Sequence, residues 1–117
     1  MKDFPDFMKR PANRIATASQ STKAVAGHVF DGSGDNQMAF WTCHQTASST
    51  PHTHEYDESM VVIQGCYTVI VDGRRIPLTE GEECFFPRGL LPGGEVAAAT
   101  RTRQAFGGHR ADRSPGQ

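Results

Sequence analysis

PHTHEYDESMVVIQG, residues 51–65, decides how the rest of the chain is read. His52 and His54 stand two apart, Glu58 follows four later, and the apolar run Met60-Val61-Val62-Ile63 closes at Gly65. In an extended strand residues two apart face one side, so both imidazoles leave together and Glu58 shares their parity. Two neutral imidazoles and a carboxylate at neighbouring corners suit Fe(II), Zn(II), Mn(II) or Ni(II), with positions left over for water, dioxygen or substrate. The ordinary alternative for a bare His-x-His is a surface pair beside an acidic turn, here Glu55, Asp57 and Glu58. The surrounding chain has to choose.

Working outward, DGSGDN (31–36) is a turn, because its glycines accept positive φ and Asp and Asn bond back to the chain. Met38 to His44 alternates as a strand, with Met38, Phe40, Thr42 and His44 on one side and Ala39, Trp41 and Cys43 on the other. QTASSTP (45–51) is a polar loop leading to His52. Downstream, Cys66 to Val71 is β-branched and aromatic, Asp72-Gly73 is a favoured hairpin turn, and Arg74 to Leu78 returns. Glu80-Gly81-Glu82 turns again, Cys84-Phe85-Phe86 is a short strand closed by Pro87, 88–95 is a connection rich in Pro and Gly, and Val96 to Phe106 is a last extended stretch. Arg14 to Phe30 suits short β elements around Ile15 and Val25.

Short strands at regular spacing, separated by turns and without a helical period, predict an all-β sandwich or barrel over 14–106. Its interior is the expected home of the His pair. Residues 1–13 combine Phe4, Phe7 and Met8 with Pro5 and Pro11, so they form an arm whose apolar side chains seek cover on a neighbouring subunit or across the outside of the body. Residues 107–117 are expected as a polar tail.

The length of 117 residues fits one domain, and a net charge of -1 argues against nucleic acid, which needs clustered Lys and Arg. The start MKDFPDFMKR has no apolar signal-peptide segment, and the four-residue apolar run at the motif falls far short of a span, so no membrane partner is expected. Three cysteines without CxxC spacing, Cys43, Cys66 and Cys84, suggest reduced thiols and a cytoplasmic protein.

From about Gly27 to Phe106 the chain resembles a small single-domain cupin of the type-2 conserved barrel family. The family's first motif, G(x)5HxH(x)3-4E(x)6G, is met by His52, His54, Glu58 and Gly65, with Thr46 where the leading Gly would stand. Its second, G(x)5PxG(x)2H(x)3N, is met by Gly81, Pro87 and Gly89, while the His falls on Pro92 and the Asn on Val96. The resemblance implies a double-stranded β-helix, or jelly-roll barrel, and a divalent transition metal on His52, His54 and Glu58, with no ligand at Pro92. Three outcomes stay open. The site works as a two-His, one-carboxylate triad; a neighbour among Glu95, His44 and Gln104 substitutes; or the metal is lost and the pocket kept.

Tyr56 and His44 are the candidates for handling protons, beside a bound water. Met60 and Gln104, of inward parity, and Arg101, which could clamp a carboxylate, are the candidates for substrate contact. The implied function is a metal-dependent enzyme acting on a small organic molecule in the barrel, of oxygenase, cyclase, isomerase or lyase type. The alternative is a non-catalytic barrel that captures a small metabolite. A homodimer is expected from the arm and the apolar outer strands.

Overall fold

The computed structural model describes residues 4–16, 25–49 and 53–112. Among them run nine strands: β1 Val25–Asp31, β2 Gln37–Cys43, β3 Ala47–Ser49, β4 Glu58–Gln64, β5 Cys66–Val71, β6 Arg74–Thr79, β7 Glu83–Phe86, β8 Gly93–Val96 and β9 Thr100–Phe106. They build a five-stranded sheet in the order β1-β2-β9-β4-β7 and a four-stranded sheet in the order β3-β8-β5-β6, with antiparallel pairing throughout. The fold is the expected all-β jelly-roll barrel.

Alternation sorts the side chains. β2 buries Gln37, Ala39, Trp41 and Cys43 and turns Met38, Phe40 and Thr42 outward, while β4 buries Met60 and Val62 in step with Glu58. Met60, Val62, Val69, Leu78 and Phe86 make one core cluster, and Ile15, Val29, Ala39, Trp41, Phe106 and Ala111 make a second. Each large apolar side chain so buried contributes roughly 1.5–3 kcal/mol.

The turns follow residue chemistry. Asp72 (φ 51°) and Gly73 (φ 74°) close the β5–β6 hairpin in left-handed conformation, as their sequence predicts. Gly65 (φ 91°) joins β4 to β5, where the chain changes sheets. A Cβ there would stand 2.4 Å from Thr100 Oγ1, and that hydroxyl accepts the Cys66 N–H and donates to the Cys66 C=O.

Three expectations change. The stretch from Val96 to Phe106 is not continuous: Ala99 (φ 66°) turns the chain between β8 in one sheet and β9 in the other. Part of the Pro/Gly-rich connection is itself a strand, β8, whose Gly94 leaves room for a tyrosine; a Cβ would come within 2.5 Å of Tyr67 Oη. Residues 107–112, read above as the start of a tail, lie against the barrel. The buried Gln37 side chain accepts the N–H groups of Arg110 (2.6 Å) and Ala111 (3.0 Å) and donates to the Ala111 C=O (3.1 Å).

The arm forms two short 3-10 turns, Asp6–Met8 and Pro11–Asn13. Its Phe4 is buried on the outer face of its own five-stranded sheet, 5.3 Å from the Phe40 ring and beneath the Arg101 guanidinium at 4.9 Å. No described helix is long and apolar enough to cross a membrane.

Candidate functional site

The site begins in the loop 53–57, which is not a strand. Its backbone is stitched to two other segments: Gly89 N–H donates to His54 C=O (3.2 Å), Arg88 N–H to Asp57 Oδ1 (2.9 Å), and Gly107 N–H to Asp57 C=O (2.9 Å). His54 is therefore aimed by its loop and not by strand parity. Tyr56 supports it. The two rings stack with centroids 4.8 Å apart, Tyr56 Oη lies 3.0 Å from His54 Nδ1, and the phenol packs edge-on against Phe106. Gly108 makes this possible, since a Cβ there would meet Tyr56 Cδ2 at 2.6 Å.

With Nδ1 engaged by Tyr56, His54 Nε2 faces Glu58 Oε1 at 3.5 Å. Two ligand atoms held about 2.0–2.2 Å from one ion stand roughly 3–3.5 Å apart, so this pair fits neighbouring corners of a metal site. A partner on the second ring nitrogen is also how ligating histidines are commonly oriented. Burial pushes the Glu58 carboxyl up to about 7, against the opposing pull of the Arg110 charge. Burial likewise raises Tyr56 to about 12, which keeps its proton on Oη across the physiological range. Among the described residues no three His, Cys, Asp or Glu side chains group for one metal, and His52 lies outside those residues.

His54 and Glu58 form one wall of a cavity of about 80 Å³ between the two sheets. On the same measure one water needs about 10–15 Å³, so there is room for a small organic molecule. Trp41 and Phe86 supply apolar walls, and Thr102, Gln104 and Tyr67 supply polar ones. Burial raises the Tyr67 phenol above its ordinary range, opposed by its hydrogen bond to Ser49. Pro92 lines the cavity as well, presenting a ring where the second cupin motif has an imidazole.

The other expected site residues separate. Gln104 lines the cavity, with Nε2 donating to Met60 Sδ at 3.3 Å. Met60, its partner across the β4–β9 register, lies in the core, 1% exposed. His44 is exposed and outside the cavity lining, because it falls past the end of β2 on the outward parity and Cys43 takes the inward one. Arg101 is on the outer face of β9, its guanidinium over the Phe4 ring and bonded to Gln64 Oε1, away from the cavity. Glu95 is exposed and paired with Arg75. Of the three candidates to replace the ligand absent at Pro92, Gln104 alone lines the cavity. Sequence reasoning missed Arg110, which reaches the cavity from the segment after β9, and Trp41, whose inward parity was visible but not assigned a direction.

A family model described as Cupin domain matches residues 39–92. Among solved structures, KdgF from Halomonas sp. superposes with a TM-score of 0.67 at 19% identity, over 82% of this chain and 86% of that one. An RmlC-like cupin from Shewanella frigidimarina gives 0.66 at 18% identity, over 89% and 86%. The polyketide cyclase RemF from Streptomyces resistomycificus gives 0.67 at 20% identity, over 91% and 77%. No curated protein sequence matches the chain. At these identities the likeness speaks for the fold.

Proposed function

A cupin domain model matches residues 39–92 and solved cupins share the fold, and from that premise we propose that the chain is a cupin and a metal-dependent enzyme acting on a small organic molecule held between its two sheets. The observation that carries this reading is the convergence of His54 Nε2 and Glu58 Oε1 at 3.5 Å on the cavity wall, with Tyr56 holding the opposite ring nitrogen. His54 and Glu58 would hold a divalent ion, Fe, Zn, Mn or Ni, together with His52 by its place in the motif; bound there, it would supply Lewis-acid or oxygen-binding character. The chain's own residues do the rest. Trp41 and Phe86 exclude water around an apolar ligand, Gln104 and Thr102 offer it hydrogen bonds, and Tyr56 fixes the His54 ring. A cyclase or isomerase reaction suits a Zn(II) occupant and a dioxygenase reaction an Fe(II) one; a cyclase among the structural neighbours accords with the former. Three free thiols fit a reducing cytoplasm. A homodimer would draw on the exposed Phe7, Met38 and Phe85.

Pro92 favours a second reading, a binding barrel without metal. Elemental analysis of protein purified without a histidine tag separates the two. The enzyme reading expects about one equivalent of transition metal, lost in both His54→Ala and Glu58→Ala. Absence of metal after anaerobic reconstitution with each of the four ions selects the binding barrel.

A further inference from the structure

Two cavity features, the Arg110 guanidinium and the Trp41 indole N–H, have no role in holding the metal. Arg110 is the one Lys or Arg among the described lining residues, and its guanidinium lies 5.6 Å from the centroid of the Trp41 ring. Trp41, 6% exposed, has a buried indole Nε1–H with no acceptor among the described residues. An unmet buried donor costs about 1–3 kcal/mol, so this N–H is in want of an acceptor that none of the described residues supplies.

Arg110 is also not where chance would leave it. The amide nitrogens of Arg110 and Ala111 are both caught by Gln37 Oε1, and Gln37 Nε2 is shared between Ala111 C=O and Asp31 Oδ1. Ala111 is 2% exposed, and Gly108 lets the segment pass directly over Tyr56. A buried glutamine thus pins the backbone at the residue whose guanidinium enters the cavity. Such a guanidinium matches the planar, two-oxygen geometry of a carboxylate.

We propose that the ligand of this cavity is a small carboxylic acid, its carboxylate bound by Arg110 with Trp41 Nε1–H as a further donor, and that Gln37 is the residue that positions Arg110. The inference deepens the metal-enzyme reading by naming its substrate class. It stands on groups other than the proposed metal ligands.

The test is calorimetric titration with formate, acetate, propionate and benzoate, and with benzamide as the neutral counterpart of benzoate, on metal-stripped and metal-loaded protein. Trp41 is the chain's one tryptophan, so its emission reports whether a probe enters the cavity. The expected result is that benzoate binds metal-stripped protein at least 10-fold more tightly than benzamide. Arg110→Gln should remove that preference, weakening benzoate about 10- to 100-fold while benzamide is unchanged. Arg110→Lys, which keeps the charge without the fork, should fall between. Equal affinity for the acid and the amide overturns the proposal, as does a preference that survives Arg110→Gln, or no saturable response to any of the four acids. A preference seen only with metal bound and insensitive to Arg110 assigns the carboxylate to the metal and overturns the role of Arg110 alone. A protein that takes up no metal yet prefers benzoate through Arg110 overturns the metal reading alone.

Discussion

Glu58 shows how one residue's surroundings set its chemistry. Its side chain is 12% exposed, and burial raises the carboxyl from 4.5 to about 7 in the folded protein. The sign of the consequence follows. Between about pH 4.5 and 7 the metal-free native state holds a proton that the unfolded chain has released, so stability is greatest below that window and falls as pH rises through it. The full loss is about 3 kcal/mol. Urea unfolding of metal-free protein across this range should show the decline, and Glu58→Gln should flatten it; parallel profiles for the two proteins would contradict the burial argument. A bound cation reverses the preference by favouring the carboxylate. At this scale the sequence was partly legible. Parity put Glu58, Met60 and Gln104 on the inward side, since each lies on a regular strand. It could not place His54, which a loop orients, nor Arg110, whose direction depends on a glutamine 73 residues earlier. Met60 points inward with Gln104, its cross-strand partner, yet packs among Val62, Val69, Leu78 and Phe86 and is not among the residues that line the cavity.

Elements were more legible than side chains. The strands over 37–43, 66–71 and 74–79 were visible from alternation and turn residues within a residue or so of their ends. β8 was not, because Gly93 and Gly94 carry no strand propensity and earn their place by close approach to Tyr67. Gly65 has the same character at the junction of the two sheets. Gly65→Ala should destabilise by more than about 2 kcal/mol, since a Cβ would press on both Thr100 Oγ1 and Thr100 Cα while the residue keeps a positive φ. A thermal melt shows this as a drop of roughly 8 °C or more. Thr100 is also the residue that ties down both backbone groups of Cys66, so a variant that melts with the parent would mean the junction relaxes without strain.

For the whole molecule, the arm covers the outer face of the five-stranded sheet with Phe4, and the segment after β9 brings Arg110 to the cavity. Phe4 buries its ring on Phe40 and Arg101 of the same chain. Phe4→Ala should therefore lower stability by about 2–4 kcal/mol and leave the elution volume on a sizing column unchanged. A shift to a smaller species would instead place the arm in a subunit interface. The strand order carries one more consequence. β9 sits between β2 and β4, so the centre of the larger sheet is filled by the element made after all its neighbours. A ribosome that has released the chain only as far as Val96 has exposed two facing strand edges with nothing between them, a template for pairing with any extended segment nearby. Folding waits on long loops closing around that gap, which makes the passage slow. The hazard for this protein lies in its synthesis, before β9 arrives, more than in its finished state.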